Sequence, residues 1–118
     1  MSEGEGVAGP RGTRYQDQRR YVVAVRLEDL DGPTRGVIRL DRSLDWSDDP
    51  SYDLDDEADL ALMYQAVLRE AASTAALNRW LDARTLRRLW PALWLPPALR
   101  SAWQSRFPDL EPPRTLAG

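Results

Sequence analysis

The chain has 118 residues, a formal net charge of −3, 42% hydrophobic and 30% charged residues, and neither cysteine nor histidine. That length and composition fit one ordinary soluble domain. The missing residue types exclude disulfides, Cys/His zinc sites, Ser–His or Cys–His nucleophilic pairs and imidazole acid–base chemistry.

Residues 1–20 are mostly Gly, Glu, Arg and Gln, and the expectation is a disordered arm. They hold no apolar signal core, and no run in the chain approaches the ~20 apolar residues of a membrane span. A cytoplasmic protein is expected, with a single domain over residues 21–110. Residues 21–27 alternate, with Tyr21, Val23, Val25 and Leu27 on one face of a predicted strand. Residues 36–40 form a second, with Ile38 and Leu40 together, and Asp31-Gly32-Pro33 between them is a turn signal. A β-hairpin of these two strands follows, which must lean on other elements to be stable. A short third strand around residues 43–46 is an open alternative.

Residues 41–59 carry nine acids against Arg42 alone, whereas residues 60–118 carry eight Arg against four acids. All sixteen basic residues are arginine, as a GC-rich genome would favour. The acidic segment reads as a loop that ends in a helix N-terminus. Asp53 or Asp55 is the expected N-cap, with Asp56, Glu57 and Asp59 in the first turn, where the helix dipole favours negative charge. The helix is expected to reach residue 72, with Leu60, Met63, Tyr64, Val67, Leu68 and Ala71 forming one apolar stripe.

The helical core is concentrated over residues 77–107, which hold four of the five tryptophans. Ser73 or Thr74 can cap a short helix over residues 75–81, burying Leu77, Trp80 and Leu81. Asp82 can cap another over residues 83–89, with Leu86, Leu89 and Trp90 inward and Arg84, Arg87 and Arg88 outward. Pro91 ends that segment, and residues 92–95 form a short connection with Trp94 wedged between helices. Pro96-Pro97 suits a helix start. Leu99, Ala102, Trp103 and Phe107 line the last helix, Pro108 stops it, and residues 111–118 form a frayed tail.

Three groups of residues are candidates for chemistry. The acids of residues 53–59 have the alternate spacing that a hard cation would use. An EF-hand loop, however, needs Gly where Ala58 stands and Glu where Tyr64 stands, so capping and a solvated loop are the better account and no metal is expected. Arg79, Arg84, Arg87 and Arg88 line two short helices that loosely outline a helix-turn-helix, and would contact nucleic acid in that reading. Pro91 cuts the second helix short, and no Lys, Asn or Gln cluster joins the arginines to read bases. Trp46 lies among acids, where it is expected to be exposed. With Asp48, Asp49, Tyr52, Asp53, Asp55 and Asp56 it makes a candidate partner-binding surface. The sequence holds no G-x-S-x-G, P-loop or G-x-G-x-x-G motif, so neither an enzyme nor a cofactor is expected.

Residues 59–70, then Leu77, Trp80-Leu81-Asp82, Leu86, Leu89-Trp90-Pro91 and Leu95-Pro96, with Arg100, Trp103 and Phe107-Pro108, resemble a group of small proteins of high-GC bacteria. The resemblance spans about residues 35–110, including the 36–40 strand and Trp46. Such proteins are often encoded beside nucleotidyltransferase toxins of the abortive-infection type, so the resemblance implies an antitoxin-like partner. Its motifs are packing motifs, which specify a family better than a function, and no catalytic residue carries over from it. The expected fold is α+β, an N-terminal hairpin packed on three to four helices. The expected function is a protein–protein interaction module, with a DNA-binding regulator using residues 75–89 as the alternative.

Overall fold

In the computed structural model, which describes residues 21–110, the apolar stripe after the acidic segment becomes helix α1 (Glu57–Glu70). The expected arm (1–20) and tail (111–118) lie outside the described residues. All six stripe residues of the predicted helix are buried. Its N-cap is Asp56 and neither Asp53 nor Asp55, because Asp53 is still in a strand. The Asp56 carboxylate accepts the Asp59 N–H at 3.3 Å. The helix stops at Glu70, where Ala71 turns extended and leads into the next cap.

Helix α2 (Thr74–Trp80) starts at Ser73, whose hydroxyl accepts the Ala76 N–H at 3.3 Å. Helix α3 (Ala83–Leu89) starts at Asp82, whose Oδ2 accepts both the N–H and the hydroxyl of Thr85, at 3.0 and 2.9 Å. Pro91 then tightens the chain into one 3₁₀ turn (Trp90–Ala92), and Pro97 opens helix α4 (Pro97–Arg106) at its first position. A last 3₁₀ turn (Pro108–Leu110) follows, and its Leu110 is buried.

The hairpin pairs differently from the sequence expectation. Strand β1 (Val37–Arg39) lies antiparallel to β2 (Ser51–Asp53), which comes from the acidic segment, with Ile38 opposite Tyr52. Residues 21–27 do not pair with β1. Ala24 is buried while Val25 is exposed, so the alternation fails, and Leu27–Asp29 tighten into a 3₁₀ turn. The backbone bonds beyond that turn go to the helices: the Asp31 N–H reaches the Asn78 carbonyl at 2.9 Å, and the Gly32 N–H reaches that of Leu81 at 2.7 Å. A Cβ at Gly32 would sit 2.3 Å from the Trp80 carbonyl carbon, so only glycine allows this approach. Gly36 has φ +83°, the second position that needs glycine, and it turns the chain into β1.

The fold is thus α+β, a two-stranded antiparallel hairpin against four α-helices among the described residues. Trp80, Trp90 and Trp103 are core residues; the Trp90 and Trp103 rings lie 6.3 Å apart, and those of Trp103 and Phe107 5.8 Å. The three buried indole N–H groups have no acceptor among the described residues. Each such omission costs about 1–3 kcal/mol. Burying the ~150–250 Å² of an aromatic side chain at about 25 cal/mol/Å² contributes about 4–6 kcal/mol. Apolar area therefore outweighs the unmade bonds and holds these rings. No helix among the described residues is long and apolar enough to cross a membrane.

Candidate functional surface

The acidic segment is shaped by a tight turn before β2. The N–H groups of Leu44 and Asp45 both bond the Asp41 carbonyl, at 2.9 and 3.0 Å, which replaces the possible strand around residues 43–46 with a helical turn. Leu44 goes into the core, and the Asp45 carboxylate turns to accept the Ser47 N–H at 2.9 Å and the Tyr52 hydroxyl at 2.5 Å. The Tyr52 hydroxyl, and after it the Ser47 N–H, hold the Asp45 carboxyl below its ordinary value. Burial first, and the facing Asp45 second, push the Tyr52 phenol up to about 12. The pair is therefore locked as carboxylate and neutral phenol near neutral pH.

This lock sends Trp46 outward, 79% exposed, at a cleft of about 290 Å³ that Tyr52, Leu62, Gln65 and Arg69 also line. Two further exposed residues lie outside the predicted set, Leu62 at the cleft and Trp94 bonded to Gln65. Leu62 is 53% exposed on α1, off the buried stripe. Trp94 is 84% exposed, in place of the expected wedge between helices. Leu93 takes the buried position, and in the extended backbone that follows the next side chain points away from it. The Trp94 N–H donates to Gln65 Oε1 at 2.7 Å, which ties the loop to the outer face of α1.

The candidate acids divide by role. Asp49 pairs with Arg39 at 3.4 Å, Asp53 accepts the Asp55 N–H at 3.0 Å, and Asp56 caps α1. Asp48 is exposed and its carboxylate makes no hydrogen bond or ion pair among the described residues; the same is true of the Asp55 carboxylate. No three acids among the described residues converge as a metal site would require. What the segment presents is negative charge beside an exposed aromatic face.

The arginines disperse. Arg79 lies over the Trp80 ring at 4.9 Å, Arg87 pairs with Asp109 at 3.1 Å, and Arg88 pairs with Glu57 at the start of α1. Arg84 is exposed on α3 and has no such pairing among the described residues. Two of the four predicted nucleic-acid residues, Arg87 and Arg88, thus act as struts between elements. Leu62 carried one sequence signal, a leucine outside the helical stripe, whereas Trp94 carried none, because Pro91 and Pro96 leave its segment without a period. Set against protein-family models, curated proteins and solved structures, the chain matches none of them.

Proposed function

We propose that this protein is a protein–protein interaction module, an antitoxin-like partner of a nucleotidyltransferase toxin. The observation that carries the reading is Trp46, an indole held out in water by the Asp45–Tyr52 lock at the edge of the acidic segment. Tryptophan is among the residues on which interfaces most depend, and an exposed one gains its burial free energy only when a partner covers it. Nine acids against one Arg over residues 41–59 would steer the molecule toward a positively charged surface. An enzyme that modifies RNA needs such a surface to hold phosphates, and the acidic segment would occupy it as a phosphate mimic. The resemblance of residues 35–110 is what points to a nucleotidyltransferase as the partner.

The test is a tagged pull-down from the native host after nuclease treatment, read by mass spectrometry. A single stoichiometric nucleotidyltransferase is expected. Replacing Asp48, Asp49, Asp53, Asp55 and Asp56 by Asn should weaken its binding by about tenfold or more. Unchanged affinity in that variant would remove the mimicry. Capture of nucleic acid alone, lost with nuclease, would shift the assignment to a regulator acting through Arg84 and its neighbours.

A further inference from the structure

Trp46 is one part of a larger face. Leu62 and Gln65 are three residues apart on α1, so they point the same way, and both line the cleft that Trp46 borders. The Trp94 backbone is tied to the same helix face, its N–H donating to Gln65 Oε1 at 2.7 Å. Three of the five residues with large exposed hydrophobic side chains among the described residues thus meet at Gln65, Trp46 and Leu62 across the cleft and Trp94 through its backbone. Both tryptophans leave backbone that is already fixed, Trp46 between Asp45 and Ser47 and Trp94 at the Gln65 bond. Anchors held in this way lose less freedom when a partner covers them.

We infer that Trp46, Leu62 and Trp94 form one docking face, centred on Gln65, for a partner segment that carries arginine or lysine between apolar side chains. The inference rests on the interaction-module reading and names the chemistry of the partner's surface. Charge selects this occupant. Trp46 lies in a segment of nine acids against one Arg, and the cleft that it borders is lined by Asp45 and Glu70 against Arg69 alone; an indole beside carboxylates suits a guanidinium that stacks on the ring and pairs at its edge. A second copy of this chain is the poorer fit. A two-fold contact on this face would set the same acidic flank near itself, and like charges so placed repel.

The experiment places a photo-crosslinking residue, p-benzoylphenylalanine, at position 46, 62, 94 or 84 of the full chain in the native host. Positions 46, 62 and 94 should crosslink to one protein, through peptides that contain arginine or lysine, while position 84 should not reach those peptides. With that protein purified, Leu62→Ala and Trp94→Ala should each weaken affinity by about tenfold with an unchanged circular dichroism spectrum. A crosslink at 46 alone, with affinity unchanged in Trp94→Ala, overturns the shared face and leaves the interaction module standing. Crosslinks to a second copy, or to peptides without cationic residues, overturn the inference as well. No protein adduct at any of the four positions removes both readings.

Discussion

At Gly32 the N-terminal segment lies directly against the end of α2, and the Leu81 nitrogen would be only 2.6 Å from an added Cβ. Both the Trp80 and the Leu81 atoms in the way belong to the backbone, so no rotamer change relieves the clash. Gly32→Ala is expected to cost about 1–3 kcal/mol, read as a lower urea midpoint. Beneath this contact, the Tyr64 oxygen accepts the Asp82 N–H at 2.8 Å while the ring is fully buried. Burial pushes the Tyr64 phenol up from 10.0 to about 12, partly opposed by the Asp82 N–H. The raised folded value means that this stability is fully present below pH 10 and is lost as pH rises through about 12. Tyr52 acts over the same window. Urea melts across that range should show constant stability that then declines, and Tyr64→Phe should flatten the decline. At neutral pH the same variant should cost about 1–3 kcal/mol, because the Asp82 N–H is left unpaired.

The helices were legible because their information is local. Ser73 and Asp82 cap the helices they were expected to cap, Pro97 starts α4, and the α1 stripe is periodic. Only the α1 cap slipped, since a run of aspartates offers several residues able to accept the same N–H. Asp82→Ala should destabilise by about 1 kcal/mol or somewhat more, because Asp82 also holds the Thr85 hydroxyl; Thr85→Val separates the two contributions in thermal melts. Strand pairing was not legible, because it depends on residues distant in the chain. Residues 21–27 have β-forming side chains, but the turn after them docks on Asn78 and Leu81, and β1 is paired instead by Ser51–Asp53, a segment too short and polar to announce itself. The docking face divides in the same way. Trp46 was legible from its acidic neighbours, whereas Trp94 depends on which of two adjacent side chains, Leu93 or its own, fills the core.

Across the whole molecule, charge is segregated between the acidic segment and an arginine-bearing helical half. The arginine struts join α3 to α1, α3 to the last 3₁₀ turn, and α4 to the Val25 carbonyl. All of them are exposed, so each contributes about 0–1 kcal/mol, and hydrophobic burial sets the stability. Asp48→Asn should therefore leave the urea midpoint almost unchanged, within about 0.5 kcal/mol. It should also slow association with the partner and weaken the salt dependence of that rate, as stopped-flow mixing would show. A final consequence of the tryptophan arrangement is optical. Trp80, Trp90 and Trp103 are shielded, while Trp46 and Trp94 meet water, so the native protein contains two classes of emitter. Caesium should quench the red-shifted class more than iodide does, because the carboxylates around Trp46 concentrate the cation and repel the anion. Any partner that covers the outer face of α1 should shift that emission to the blue without a label.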